Sequence, residues 1–265
     1  MITLSSFAIM FPTIDPVLIN IGNLPIRWYS LAYIAGLLLG IKYIKYLDKN
    51  QTLLTHKQVD DLMVWVVVGI VFGGRLGYVF LYHPEHYLSN PGAIIQTWKG
   101  GMSFHGGVVG VIAAIAIFVK RHRLKFLSVT DMAACATPIG IFFGRIANFI
   151  NGELYGRSTQ MPWGVIFPQG GNFARHPSQI YESLTEGLLL FIIMVIAARK
   201  ISLQDRPGLL SGIFLSGYGV CRILMECFRE PDIDIGFILP LVTMGQILSI
   251  PMIILGIFLI KRCRK

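Results

Sequence analysis

Groups suited to binding an anion or moving a proton are concentrated in residues 144–157, which read Gly-Arg-Ile-Ala-Asn-Phe-Ile-Asn-Gly-Glu-Leu-Tyr-Gly-Arg. The stretch follows an apolar run, residues 132–143, that is typical of a membrane helix. Arg145 and Asn148 are three residues apart, so a helix places them on one face. A charge in hydrocarbon costs at least about 2.5–3.5 kcal/mol, so an arginine there indicates a functional site. The alternative is an arginine that snorkels beside a local carboxylate.

Three arginines are predicted at one depth in the membrane, namely Arg75, Arg145 and Arg222. Each lies about five to seven residues before the predicted outer end of its helix, roughly 8–11 Å deep at 1.5 Å per residue. A lipid phosphate is a suitable anion at this level, because a guanidinium group forms two parallel hydrogen bonds with it. A purely structural ion-pair network is the alternative. The polar side chains expected nearby are Tyr218 and Glu226, each one turn from Arg222, with Glu153 and Glu182 near the outer surface.

His105 and Tyr29 are the further candidates for proton transfer. His105 begins the third predicted helix between the glycine pairs 100–101 and 106–107, which leave room beside the imidazole. Because imidazole titrates near neutral pH, His105 is a candidate general base, and a structural hydrogen-bonding role is the alternative. Tyr29 follows Trp28 at the entry to the first helix, where it fits either an interfacial aromatic belt or the site.

Composition and charge place the chain in a membrane. Hydrophobic residues make up 54% of it and charged residues 14%, whereas soluble domains carry about 25% charged residues. Fifteen of the 23 Lys and Arg residues lie in or beside the connections after predicted helices 1, 3 and 5 and in the C-terminal tail, and five lie on the opposite side. Since cytoplasmic loops carry such an excess, the N-terminus is predicted outside and the C-terminus in the cytoplasm. The net charge of +9 therefore reflects topology and does not indicate a nucleic-acid partner.

The hydrophobic pattern predicts an all-α polytopic membrane protein, a bundle of about seven transmembrane helices. Their expected ranges are residues 26–47, 61–82, 104–119, 131–150, 177–198, 208–228 and 240–260. A single integral membrane domain is expected over residues 1–265, with small outer loops at 83–103 and 151–176 and residues 1–25 at the membrane surface. Glycines four residues apart at 36/40, 69/73, 106/110 and 140/144 favour close packing of helices.

The sequence contains no familiar nucleophile or metal motif. It has no G-x-S-x-G, no H-E-x-x-H and no phosphate-binding loop. The four cysteines lack the spacing of metal ligands and are interpreted as small hydrophobic residues without a disulfide. The N-terminus has no basic region typical of a cleaved signal peptide. We therefore expect no metal and no cofactor. The residues alone indicate an outward-facing site that handles a phospholipid, without identifying the bond that breaks.

Three stretches together resemble the bacterial prolipoprotein diacylglyceryl transferase family. They are residues 144–156 with the pattern Gly-Arg-x-x-Asn-Phe-x-Asn-Gly-Glu-x-x-Gly, residues 100–107 with Gly-Gly-Met-Ser-Phe-His-Gly-Gly, and residues 175–182 with Arg-His-Pro-Ser-Gln-Ile-Tyr-Glu. The similarity extends from Asp15 and Pro16 to residues 244–249, which is essentially the whole chain. The outer loop between the fourth and fifth predicted helices is short for this family.

The resemblance implies a multi-pass enzyme of the bacterial cytoplasmic (inner) membrane with its active site towards the outer leaflet. Members of the family move the diacylglyceryl group of phosphatidylglycerol onto the lipobox cysteine thiol in the signal peptide of a preprolipoprotein. Glycerol phosphate leaves, and this is the first step of lipoprotein maturation. The expected partners are therefore phosphatidylglycerol, that signal peptide and membrane lipids. The expected catalytic residues are His105, Arg145, Arg222, Tyr29, Asn148 and Glu153, and the residues expected to bind phosphatidylglycerol are Arg145, Arg222, Arg75, Gly156, Tyr218 and Glu226.

Two other functions are consistent with charged residues inside a membrane. A secondary transporter would place its polar residues near the midplane, on broken helices in paired repeats. The arginines here are predicted at one face, and the sequence has no clear inverted halves. A non-enzymatic phospholipid-binding or scaffold protein would use the arginines but would not require His105 or Asn148.

Overall fold

The computed structural model of the chain describes residues 8–12, 14–22, 24–231, 236–239 and 242–263, and these are mostly helical. Within these residues, six helical stretches are long and apolar enough to cross a membrane. A seventh apolar helix, Leu209–Met225, is shorter at 17 residues. The protein is therefore a helical multi-pass membrane protein, and the predicted total of seven crossings stays a prediction. The six stretches are Trp28–Leu47 (α1), His56–Leu81 (α2), Phe104–His122 (α4), Phe126–Ile150 (α5), Ser178–Lys200 and Met244–Arg262 (α9).

The remaining helices are short or interrupted. A six-residue helix, Pro84–Ser89 (α3), follows α2, and single turns of 3-10 helix occupy Pro91–Ala93 and Thr97–Lys99. The stretch Ser178–Lys200 is built from Ser178–Glu182 (α6), a π-helical segment Ser183–Leu189, and Leu190–Lys200 (α7). The 17-residue helix Leu209–Met225 is α8.

Capping groups move two helix starts away from their predicted positions. Helix α2 begins at His56, before the expected residue 61, because Thr55 and Gln58 form a reciprocal capping box. Helix α9 begins at Met244, after the expected residue 240, because Thr243 and Gln246 form the same arrangement. Helix α5 also begins earlier than expected, at Phe126.

Short strands occur that the sequence pattern did not predict. Two pairs are antiparallel: Val17–Ile21 (β2) with Leu24–Arg27 (β3), and Phe237–Leu239 (β5) with Val242–Thr243 (β6). The strand Ile9–Met10 (β1) pairs in parallel with Val165–Ile166 (β4). The last pair joins the N-terminal region to the loop before α6, so the described part of residues 1–25 is tied to the chain that carries the signature motif.

The chain folds as two compact units, Met1–Tyr43 with Asp131–Lys265, and Ile44–Thr130. In the second unit, α2 and α4 pack through facing glycines: a Cβ atom added to Gly110 would lie 2.8 Å from the Cα of Gly73. In the first unit, α1 meets α5 where a Cβ on Gly36 would lie 3.0 Å from the Cα of Gly140. The glycine spacings in the sequence therefore mark places where helices approach closely within each unit. The single-domain range 1–265 stays a prediction.

Candidate active site

Arg145 and Arg222 converge on one carboxylate in the first unit. Arg145 of α5 places its Nε 2.8 Å from Oε2 of Glu182, and Arg222 of α8 places its Nη1 3.2 Å from the same oxygen. Glu186 joins them, with its oxygens 3.4 Å from Arg145 Nη2 and 3.6 Å from Arg222 Nη1. The two arginines, which the sequence predicted at one depth, are thus held together by two glutamates.

Two further residues complete this group. Glu226 pairs with Arg222 one turn away, as the sequence predicted, and its Oε2 accepts a hydrogen bond from the Thr243 hydroxyl at 2.9 Å. Arg229 approaches Glu182 at 3.9 Å. We call the six residues the ion cluster: Arg145, Arg222, Arg229, Glu182, Glu186 and Glu226.

The ion cluster is buried and its formal charges balance. The three glutamate side chains are at most 4% exposed, and the three arginines are between 10% and 16% exposed. Among the described residues, three guanidinium groups face three carboxylates, so these six ionised side chains together carry no net charge. A buried charge without a partner would cost several kcal/mol, and the mutual pairing offsets part of that cost.

The two arginines still have hydrogen-bonding capacity. Arg145 uses Nε and Nη2 towards the glutamates, and Arg222 uses Nη1 and Nη2. Within the residues that the structure describes, Nη1 of Arg145 and Nε of Arg222 make no hydrogen bond or ion pair. A guanidinium group has five N–H donors in a planar fork, so each arginine retains donors for an anionic ligand.

The π-helical segment Ser183–Leu189 positions Glu182 and Glu186, the two glutamates of the stretch Ser178–Lys200. Glu182 ends α6, and Glu186 lies within the segment. The segment packs tightly on α5, since a Cβ on Gly187 would lie 2.8 Å from the Cα of Phe142, and the Ser183 hydroxyl donates to Phe142 O at 3.2 Å. Segments of this kind are uncommon and frequently occur at functional sites.

The signature motif builds a polar turn at the end of α5. Asn148 donates through Nδ2 to Glu153 Oε1 at 2.8 Å and to the Tyr29 hydroxyl at 3.4 Å. Gly152 makes the turn with a φ of +66°, and Glu153 N donates to Asn148 O at 3.1 Å. The backbone oxygen of Glu153 accepts from Gln179 Nε2 at 2.7 Å, which ties the turn to α6. The structure therefore brings Tyr29, Asn148 and Glu153 together.

Two other predicted residues lie in the same unit. Tyr218 interacts electrostatically with Glu186 and Arg222, and its ring stacks on Phe214 at 5.9 Å. Gly156 has no room for a side chain, because an added Cβ would lie 2.7 Å from the Cβ of His176. These contacts favour a structural reason for glycine at position 156, and its role in lipid binding stays a prediction.

Arg75 lies in the second unit, where its guanidinium group donates hydrogen bonds to backbone oxygens. Nε donates to Ile94 O at 2.8 Å, Nη2 to Ala93 O at 2.8 Å, and Nη1 to Gly100 O at 2.6 Å and Gly101 O at 3.0 Å. The residue is 5% exposed. These contacts support the structural alternative, since Arg75 fixes the loop that precedes α4. Its role in substrate binding stays a prediction.

His105 also lies in the second unit, in the first turn of α4. The N-cap of that helix is Ser103, whose hydroxyl accepts from Gly106 N at 3.2 Å. The His105 side chain is exposed, and its ring contacts Phe104 edge-on at 5.6 Å. No hydrogen bond or ion pair of His105 occurs within the described ranges. The imidazole is thus open to a ligand, and its role as a base stays a prediction.

Glu186 and Arg229 join the candidate site, although the sequence did not indicate either of them as site residues. Glu186 lies one turn after Glu182 inside an apolar stretch, and a second acid in a predicted span is itself a functional signal. Arg229 directly follows the predicted helix 208–228 and is one of the five cations that the sequence predicts on the outer side. Whether an arginine after a helix end is buried depends on the path of the chain beyond that helix, and hydrophobic periodicity does not predict this path.

His176 lies beside the site on the loop before α6. Its Nδ1 is 3.2 Å from the Tyr181 hydroxyl, which also accepts from Trp163 Nε1 at 2.7 Å. Burial lowers the pKa of His176 below its usual value, so this imidazole is neutral at neutral pH. Among the described residues, no group of three or more His, Cys, Asp and Glu side chains has the arrangement of a metal site.

Comparison with known proteins gives consistent matches along the chain. The profile of the prolipoprotein diacylglyceryl transferase family matches residues 16–262. A phosphatidylglycerol–prolipoprotein diacylglyceryl transferase of Rickettsia bellii is 53% identical over 257 residues, which are 96% of this chain and 98% of that protein. The enzyme of the same name from Rhodospirillum rubrum is 51% identical over 262 residues, 98% of this chain and 96% of that protein. The enzyme of that name from Gluconacetobacter diazotrophicus is 51% identical over 257 residues, which are 96% of this chain and 92% of that protein.

Proposed function

Since the chain belongs to the prolipoprotein diacylglyceryl transferase family, we propose that it transfers the diacylglyceryl group of phosphatidylglycerol to the lipobox cysteine of prolipoproteins. The sulfur–carbon bond forms at the glycerol carbon that bears the phosphate, and the carbon–oxygen bond to the phosphate breaks. Glycerol phosphate carries away the electron pair. The observation that carries this proposal is the identity of about half over nearly the whole chain to transferases of that name.

Arg145 and Arg222 are proposed to hold the phosphate of the lipid. Each retains a guanidinium nitrogen without a protein partner, Nη1 and Nε respectively, among the described residues. Negative charge increases on the phosphate oxygen as the bond to carbon breaks, and fixed cations in a dry site stabilise that charge. Glu182 and Glu226 position the two guanidinium groups. Tyr218 is proposed to line the same lipid site.

His105 is proposed to take the proton of the substrate thiol. A thiolate is the attacking species, and a free cysteine has a pKa of about 8.5, so removal of the proton by a base accelerates the reaction near neutral pH. Tyr29, Asn148 and Glu153 are proposed to orient the substrates through their mutual hydrogen bonds. Glu153 and Tyr29 are the alternative sites of proton transfer.

The proposed location is the bacterial inner membrane, with the site towards the outer leaflet. The excess of Lys and Arg after predicted helices 1, 3 and 5 supports an outer N-terminus and a cytoplasmic C-terminus. Both substrates are then within reach, since phosphatidylglycerol is a membrane lipid and the lipobox follows the membrane-inserted part of a signal peptide.

The test is a transfer assay with purified protein in detergent. Phosphatidylglycerol labelled in both acyl chains is incubated with a lipobox peptide, and with a peptide in which serine replaces the cysteine. We expect the cysteine peptide alone to gain the mass of one diacylglyceryl group. Lipid binding without peptide modification would favour a scaffold, and lipid movement across a vesicle without modification would favour a transporter.

A further inference from the structure

The charge balance of the ion cluster has a consequence for substrate binding. Three arginines face three glutamates in the ion cluster, and all six side chains are largely buried. Phosphatidylglycerol carries one negative charge at neutral pH. Its phosphate would give a balanced, buried group a net charge of −1, and an unbalanced charge in a low-dielectric site is strongly disfavoured.

The charged residues around the cluster leave this balance unchanged. Arg157 lies next to it, with Nη2 3.1 Å from Glu226 O and Nε 2.9 Å from Arg229 O, and Glu153 lies in the turn after α5. These two opposite charges also cancel. Arg175 is already paired with Glu230 at 3.0 Å. The described neighbours therefore supply no net positive charge for the lipid.

Of the three carboxylates in the ion cluster, Glu186 lies farthest from its nearest guanidinium nitrogen. Glu182 has three guanidinium groups within 3.9 Å, the closest at 2.8 Å. Glu226 pairs closely with Arg222 and accepts the Thr243 hydroxyl. Glu186 has two guanidinium groups, at 3.4 and 3.6 Å, and its side chain is fully buried. Its Oε1, like that of Glu182, has no hydrogen-bond partner in the described chain.

The groups that face Glu186 come from three elements. They are Arg145 on α5, Arg222, Tyr218 and Cys221 on α8, and Glu182 on α6. A phosphate that takes donors from Arg145 and Arg222 weakens the two attractions that keep Glu186 ionised. It also adds a negative charge nearby. Both changes favour protonation of Glu186.

We propose that the binding of phosphatidylglycerol is coupled to the uptake of about one proton from solvent by Glu186. The lipid phosphate replaces the Glu186 carboxylate as the ion-pair partner of Arg145 and Arg222. The inference rests on the proposed function, because it assumes that the two arginines bind this phosphate. The protonated carboxyl group remains in the site as a neutral group, and the occupied cluster stays balanced. Lipid affinity therefore falls as the pH rises.

Calorimetry measures this proton directly. Dioctanoyl phosphatidylglycerol is titrated into the full-length protein in neutral detergent, at pH 8, in buffers of different ionisation enthalpy. We expect uptake of about one proton per lipid, and a Kd that rises by about tenfold per pH unit above the pH at which Glu186 ionises. Dioctanoylglycerol, which lacks the phosphate, should cause no uptake. The isosteric Glu186→Gln variant should bind the phospholipid with no uptake and a flat pH dependence.

The matched control is Glu85→Gln, which removes an exposed carboxylate of α3 in the second unit and should leave uptake unchanged. Difference infrared spectra identify the site: lipid binding should produce a protonated carboxyl band, and Glu186→Asp should move that band. A wild-type protein that binds and turns over phosphatidylglycerol without taking up a proton overturns the inference and leaves the transferase function intact. A band that Glu186→Asp does not move assigns the proton to another carboxylate and also overturns it. Absence of lipid binding would instead contradict the proposed function.

Discussion

Arg145 and Arg222 contact the same carboxylate oxygen, Oε2 of Glu182, at 2.8 and 3.2 Å. The two arginines belong to different helices, α5 and α8. The end of α5 at Ile150 and the start of α8 at Leu209 are 59 residues apart in sequence. Two guanidinium groups that contact one oxygen repel each other, and the carboxylate between them offsets that repulsion. Glu182 therefore fixes the distance between the two groups that are proposed to hold the lipid phosphate.

Glu182→Gln should separate the two arginines. The amide cannot neutralise both, and loss of one partner from a buried ion pair typically costs about 3–5 kcal/mol of stability. We expect a lower unfolding midpoint in detergent and a transfer rate at least about tenfold lower, while phosphatidylglycerol still binds because both cations remain. Glu230→Gln serves as the control, and equal rates in the two variants would remove Glu182 from the mechanism.

Arg75→Lys should affect folding more than chemistry. The guanidinium group donates four hydrogen bonds to carbonyls of the loop before α4, and an ammonium group cannot reach all of them in that geometry. The expected result is a lower unfolding midpoint with a Km for phosphatidylglycerol within about twofold of wild type. A large increase in Km with unchanged stability would restore Arg75 to the lipid site.

Gly156→Ala should disrupt the loop beside the ion cluster. Its new methyl group would lie 2.7 Å from both the Cβ and the carbonyl oxygen of His176, which are backbone-fixed positions. Gly92→Ala is the matched control, since a Cβ at that position meets nothing within 4 Å. The thermal unfolding midpoint should fall clearly in Gly156→Ala and hardly change in Gly92→Ala. Equal midpoints would mean that position 156 tolerates a side chain.

His105→Gln should keep lipid binding and lose transfer, because an amide cannot accept the thiol proton. With a saturating lipobox peptide, the wild-type rate should rise with pH through the range in which imidazole titrates. The residual rate of the variant should follow ionisation of the peptide thiol, near 8.5 in a free peptide. Profiles of the same shape that differ only in height would make His105 a positioning group.

The sequence predicted the apolar helices, and Arg145 and Asn148 on one of them, because both predictions depend on local signals. Apolar runs of about 20 residues and charges within them are visible in any window of that length. The pairing of Arg222 with Glu226 follows from four-residue spacing on a helix. Gly110 and Gly73 face each other as their small-residue spacing suggested.

Other features depend on contacts between distant parts of the chain. The π-helical turn at Ser183–Leu189 fits the backbone around Phe142, and this contact gives no periodic signal. The strand pair β1–β4 joins segments about 155 residues apart, and strands of two residues are too short to show alternation. Arg229 enters the cluster only because the chain turns back after α8.

Replacing each arginine by lysine tests the central claim that Arg145 and Arg222 together bind the phosphate during transfer. The assay follows modified lipobox peptide and released glycerol phosphate at the same time, in wild type, Arg145→Lys and Arg222→Lys. Wild type should release the two products in equal amounts. Each lysine variant should insert in the membrane yet lose at least about 90% of both products, because a point charge cannot replace a two-pronged contact. Near-normal, equimolar product formation in both lysine variants would contradict the account.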